Sequence, residues 1–156
     1  MEELFEHIGY VRVKNRKIPV PHSYRIMYKV TQILMIIKIC CSPRKGCSIE
    51  KLQIISNAIS SEKTFMDLKN FVEGNSTFIP IRFDPSVNRA VSYAVSEELI
   101  VIQKNKLLKL TDKGKEYVES VNSDKNVYKY EKDKMSNIGY SLTEDEITQI
   151  ISKWRF

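Results

Sequence analysis

The segment from Asp84 to Val121 constrains the fold of this chain more than any other, because its elements follow one another with clear boundary signals. Asp84 is a preferred N-cap residue and Pro85 is tolerated in a first helical turn, so a helix is expected to begin here. Its apolar residues recur at helical spacing and form one stripe: Val87, Ala90, Val91, Ala94 and Val95. The segment therefore begins with an amphipathic helix.

A hairpin and a second helix follow. Residues 99–102 predict a buried strand, residues 104–105 a tight turn and residues 107–108 the returning strand. Thr111 then predicts the N-cap of a helix with three residues on its inner face: Tyr117, Val118 and Val121. Helix, hairpin and helix in this order form the back half of a winged helix-turn-helix. We therefore expect a mainly α fold with a small β-wing.

The front half is predicted to be helical. Ser23 is expected to cap a long helix that ends near Cys41 and is apolar nearly all round from Ile33 onward, which is typical of a central buried helix. Ser48 predicts the cap of a second helix, and Ser60-Ser61 separates it from a third. Residues 78–81 predict a short strand or an extended link.

Composition indicates one globular unit. The chain has 156 residues, of which 42% are hydrophobic and 28% charged, as expected for a single soluble domain with a small extension. Residues 1–6 lack the features of a signal peptide, and the longest apolar run is far too short to span a membrane. Three cysteines, two of them adjacent, suit a reducing compartment. We expect a cytoplasmic protein.

The net charge of +6 lies in the N-terminal third. Residues 7–49 contain nine Lys and Arg residues and no acid, whereas bases and acids balance in residues 50–156. Residues 10–21 are predicted to be extended, with alternating valines and two prolines. Four bases in this arm are candidate contacts to an acidic protein surface or to DNA: Arg12, Lys14, Arg16 and Lys17. The alternative is an ordinary solvated surface.

The remaining 35 residues predict an extension. Residues 122–126 are linker-like, a charged helix follows, and Thr143 with Glu146 forms a capping box. The terminal helix carries an apolar stripe that must pack on the chain's own core or on a partner: Ile147, Ile150, Ile151 and Trp154. Three parts result, namely a basic arm (1–22), a winged-helix domain (23–121) and a helical extension (122–156).

The sequence contains no pattern typical of an enzyme. Its two histidines, His7 and His22, have no suitably spaced Cys or acid that would suggest a catalytic triad. The cysteines lack the spacing of a zinc site, and the five scattered glycines form no phosphate-binding loop. We therefore expect a non-enzymatic protein without a metal or cofactor.

The helix before the wing has too little positive charge on its outward positions to be well suited to bind DNA. Its outward positions offer one base, Arg89, one acid, Glu97, and Tyr93, whereas a recognition helix offers several polar or basic side chains to the major groove. The wing adds candidate phosphate contacts: Lys104, Lys106 and Lys109. This favours a protein-binding surface, with only weak and non-specific DNA contact.

The order of elements resembles a known family. Residues 15–156, and above all DPSVNRAVSYAVSEELI and LTDKGKEYV, resemble the small middle components of bacterial ABC-three-component systems, including the small subunit of Lamassu-type anti-phage defence. The resemblance implies a non-catalytic winged-helix adaptor. Its implied partners are a coiled-coil ATPase of the structural-maintenance-of-chromosomes type and an effector, often a nuclease.

Two functions remain open. One is an adaptor subunit of an anti-phage complex that links the ATPase to its effector. The other is a winged-helix DNA-binding regulator of transcription. The neutral helix before the wing, the basic arm and the C-terminal extension favour the adaptor.

Overall fold

The computed structural model describes residues 25–154, with Trp154 described in its backbone only. These residues form a mainly helical fold with one small antiparallel sheet. The elements are α1 (Ile26–Cys40), α2 (Ile49–Ile59), α3 (Glu62–Val72), α4 (Pro85–Ser96), β1 (Ile100–Ile102), β2 (Leu108–Leu110), α5 (Asp112–Ser123), α6 (Lys129–Ile138) and α7 (Glu144–Trp154). No helix in this part of the chain is long and apolar enough to cross a membrane.

Helix α1 is the centre of the core, as its sequence predicts. Every residue from Lys29 to Ile37 is buried, and α1 contacts α2, α4, α5 and α6. An all-round apolar surface is stable only when other elements cover every side of the helix. Arg25 occupies the N-cap position without a side-chain cap, and the predicted cap, Ser23, lies outside the described residues.

The predicted helix caps are confirmed where the structure describes them. The backbone N–H of Lys51 donates to Ser48, that of Ser86 to Asp84 and that of Gly114 to Thr111. Ser60-Ser61 does separate two helices. Residues 78–81 contain no strand and link α3 to α4.

The hairpin is confirmed, with two corrections. Ile100 pairs with Leu110, Val101 with Lys109 and Ile102 with Leu108. The returning strand thus starts at Leu108, one residue later than predicted, and extends to Leu110. The first strand is not buried as a whole, because only Ile100 of β1 lies in the core. On the other edge of β2, Leu108 forms an isolated bridge with Cys47.

The C-terminal helices pack on the rest of the chain. Helix α6 contacts α1 and α2, and α7 contacts α2. Helix α5 continues to Ser123, so the predicted linker at 122–126 begins inside a helix. The capping box is present: the N–H of Thr143 donates to Glu146 Oε2 at 2.8 Å, and the N–H of Glu146 donates to Thr143 Oγ1 at 3.2 Å.

Candidate partner-binding surface of helix α4 and the wing

Helix α4 is fixed to the core by one buried glutamine. The amide oxygen of Gln53, on α2, accepts a hydrogen bond from Asp84 N at 2.9 Å. Its amide nitrogen donates to Asp84 O at 3.0 Å and to Asn88 Oδ1 at 3.1 Å. Two of these bonds hold the backbone N–H and C=O of the N-cap residue and the third holds Asn88, so the first turn of α4 has a defined position against α2.

A partly buried ion pair adds a second link to the same turn. Lys29 Nζ lies 3.3 Å from Asp84 Oδ2 and donates to Gln32 Oε1 at 3.1 Å and to Ser56 Oγ at 3.0 Å. Burial acts to raise the pKa of Asp84, but hydrogen bonds from Ser86 and the charge of Lys29 outweigh it and lower that pKa. Lys29 is one of the nine bases in residues 7–49, and its charge forms an ion pair with Asp84 inside the fold.

The exposed side of α4 is nearly neutral. Arg89, Tyr93 and Glu97 are exposed, as predicted from their positions in the helix. Asn88 is half-buried, and its Oδ1 already accepts a hydrogen bond from Gln53. One base and one acid remain on this side, together with an aromatic ring.

The wing places two lysines at its tip. Lys104 and Lys106 are exposed in the turn between the strands, where Lys106 N donates to Gln103 O at 2.9 Å and Leu107 N to Asn105 Oδ1 at 3.1 Å. Lys109 is half-buried on β2, opposite Val101, and so does not lie at the tip with the other two.

Strand β1 exposes apolar side chains, contrary to the prediction of a buried strand. Val101 is 47% and Ile102 is 55% exposed, while Ile100 is buried. Successive side chains of a strand point to opposite faces, which turns Val101 away from the core. Ile102 is exposed although Leu108, its partner across the hairpin, is buried. We refer to the exposed residues of α4 and the hairpin as the α4–wing surface: Arg89, Tyr93, Val101, Ile102, Lys104 and Lys106.

The other candidate residues lie elsewhere. Ile147 and Ile150 are buried and Ile151 is half-buried, so the apolar stripe of α7 contributes to the chain's own core. The side chain of Trp154 lies outside the described part of the chain. The arm residues Arg12, Lys14, Arg16 and Lys17 also lie outside it.

The three cysteines are core residues. Cys40, Cys41 and Cys47 are buried free thiols. Burial raises the pKa of Cys40 to about 12 and raises that of Cys47 as well, so both thiols stay protonated and poorly nucleophilic near neutral pH. Within residues 25–154, no group of three or more His, Cys, Asp or Glu side chains is placed to hold a metal ion.

Sequence reasoning missed a second region, a cavity beside the wing that is lined by Lys51 and Tyr140. One signal was present: Lys51 stands four residues before Ile55 and eight before Ile59, on the apolar stripe of α2. A lysine at such a position is predicted to be buried with its helix face.

Comparison with known proteins gives no matching family model, no matching curated protein and no matching solved structure.

Proposed function

We propose that this chain is a non-catalytic adaptor subunit that binds a protein partner through the α4–wing surface. The observation that carries the proposal is the exposure of Val101 and Ile102 on β1. Exposed apolar side chains on a short hairpin, with an exposed tyrosine on the preceding helix, are typical of protein-binding surfaces. The charges of Arg89 and Glu97 cancel, so α4 offers little attraction to the phosphates of a major groove.

The arrangement of elements supports a winged helix-turn-helix as the finer description of the fold. Helices α2 and α4 contact each other, and both contact α1. The hairpin follows α4 directly, and the bridge between Cys47 and Leu108 adds a short third strand position to the sheet. Helix α3 is an insertion between α2 and α4 in this scheme.

The partners in this proposal come from the family resemblance of the sequence. They are a coiled-coil ATPase of the structural-maintenance-of-chromosomes type and an effector nuclease of a bacterial anti-phage defence complex. The adaptor links the two, and the chemistry belongs to the partners.

A winged-helix DNA-binding regulator is the second candidate. It is favoured by Lys104 and Lys106, which place two ammonium groups at an exposed turn that can touch phosphates. The adaptor is preferred because only two cations are placed there, which supports weak, non-specific contact rather than selection of a sequence.

A pair of double variants separates the two functions. Val101→Glu with Ile102→Glu places charge on the apolar part of the α4–wing surface, and Lys104→Gln with Lys106→Gln removes the charge at the tip. The full chain is co-expressed with a candidate ATPase and a candidate effector of the proposed complex, and copurification is measured. We expect the glutamate pair to lose copurification and the glutamine pair to keep it, with thermal unfolding of both close to the parent because all four side chains are exposed.

If the chain is instead a DNA-binding regulator, the two double variants should have the opposite effects. A mobility-shift titration at physiological salt would then show one tight, sequence-selected site that is weakened by the glutamine pair, and the glutamate pair would still copurify with any partner.

A further inference from the structure

A cavity of about 450 Å³ lies beside the wing, between the loop at residues 42–46 and the first turns of two helices. Helix α2 contributes Lys51 and helix α7 contributes Glu144 and Asp145, while Tyr140 and Thr143 come from the turn before α7. A second cavity of about 230 Å³ shares Ser42 and Tyr140 with the first. The two cavities form one groove on either side of Tyr140.

Lys51 is the unusual member of this groove. The residue is only 4% exposed, yet among the described residues no hydrogen bond or ion pair involves its ammonium group. Glu144, one of two acids that line the same cavity, accepts a hydrogen bond at Oε1 from the backbone N–H of Ser48 at 3.0 Å. The stem of Lys51 is buried while the residue lines the cavity, and an ammonium that no carboxylate or acceptor of the described residues occupies is available there to an anion.

The N-terminal turns of α2 and α7 both border the cavity, but each already has an acidic partner. Glu144 accepts from Ser48 N, and Glu144, Asp145 and Glu146 occupy the first turn of α7, so the attraction of an anion depends on the lysines. Five lysines line the two cavities: Lys38, Lys45, Lys51, Lys109 and Lys115. Lys38 pairs with Glu119 and Lys115 with Asp112, and Glu144 and Asp145 also line the first cavity, which leaves a small positive excess. Lys45, Lys51 and Lys109 are the lining lysines without an ion pair among the described residues.

Tyr140 provides a flat apolar surface between the cavities. Its side chain is 61% exposed and lines both of them. Exposed aromatic rings next to cationic grooves are platforms on which nucleobases stack. We propose that this groove binds a mononucleotide, with a phosphate at Lys51 and Lys45 and the base against Tyr140. The enclosed volume fits a small ligand better than a strand of nucleic acid.

The site is tested on the full chain by thermal unfolding and calorimetric titration with AMP, inorganic phosphate and a short single-stranded DNA. At ten times its Kd, AMP should raise the melting temperature by about 3 to 6 °C. Lys51→Met should abolish this rise. Tyr140→Ala should keep the response to phosphate and lose the additional affinity for AMP. Lys63→Met, which removes an exposed lysine on α3, is the matched control and should respond like the parent.

Three results would overturn the proposal. The first is no response to AMP at 10 mM in low salt, and the second is an equal response in Lys51→Met and the parent. The third is binding of the DNA strand without binding of AMP, which would make the groove a nucleic-acid site. If Lys51→Met does not fold, Lys45→Gln and Tyr140→Ala alter exposed members of the site and decide the question. Loss of partner binding by Val101→Glu with Ile102→Glu concerns a different surface and leaves this test unaffected.

Discussion

The N-terminal end of α4 and the cavity beside α2 each bury one lysine to a similar degree, Lys29 at 7% and Lys51 at 4% exposed. At the first place the ammonium of Lys29 has a carboxylate and two neutral acceptors. At the second the ammonium of Lys51 has no such partner among the described residues. Equal burial therefore accompanies two different roles: Lys29 holds helices together, and Lys51 remains available to a ligand.

Lys134 provides an intermediate case. It is 5% exposed, and its ammonium lies 3.0 Å from Glu62 Oε1 and over the rings of Phe65 and Tyr130, at 4.8 and 4.2 Å from their centroids. Burial acts to lower the pKa of Lys134, but Tyr130 and Glu62 outweigh it and the pKa is raised. This lysine joins α6 to α3, so its charge also has a structural role.

The largest effect is expected from Lys29→Met. The change keeps the apolar stem but removes the cation from Asp84 and a donor from Gln32 and Ser56. We expect a loss of about 2–3 kcal/mol in the free energy of unfolding, near the lower end for broken buried pairs because Asp84 is partly exposed to water. Urea unfolding measures it. Lys38→Met, an exposed position on the same helix, should change stability by less than about 0.5 kcal/mol. A loss below about 1 kcal/mol for Lys29→Met would remove the contrast with Lys51.

The helix boundaries were predictable because their signals are local. Ser48, Asp84 and Thr111 cap helices whose first backbone N–H groups lie two or three residues away, so the sequence contains both partners of each bond. The apolar pattern of α1 is also a local signal. It predicts a central helix without reference to the elements that cover it.

The buried lysines were not predictable as functional residues, since their roles depend on distant parts of the chain. Lys29 meets Asp84 from 55 positions away, and Lys134 meets Glu62 from 72 positions away. A pattern on one helix can indicate that a lysine is buried, as the spacing to Ile55 and Ile59 does for Lys51. It cannot indicate whether a carboxylate, an aromatic ring or an open cavity faces the ammonium. The exposure of Ile102 was missed for the same reason, because it depends on which elements pack against the hairpin and not on the pattern of the strand itself.

A smaller effect is expected from Lys134→Met. The change removes the cation from two aromatic rings in a desolvated position, which corresponds to about 1–2 kcal/mol. The ion pair adds little because Glu62 is largely exposed. Thermal unfolding at several salt concentrations measures the change, and the loss should depend only weakly on salt. Lys129→Met, at an exposed position of the same helix, is the control. If both substitutions lower stability equally, Lys134 contributes no more to the stability of the fold than an exposed lysine does.

The smallest effect, and the one that sharpens the comparison most, is expected from Lys51→Met without added anions. The ammonium of Lys51 makes no hydrogen bond or ion pair with the described residues, so its removal breaks none, and the methionine retains the apolar contacts of the buried stem. The free energy of unfolding should therefore stay within about 0.5 kcal/mol of the parent or rise slightly. Urea unfolding in a low-salt buffer without phosphate measures this, beside Lys29→Met under the same conditions. A loss as large as that of Lys29→Met would mean that Lys51 supports the fold. The two regions would then be alike, and the cavity would have no free cation to offer a ligand.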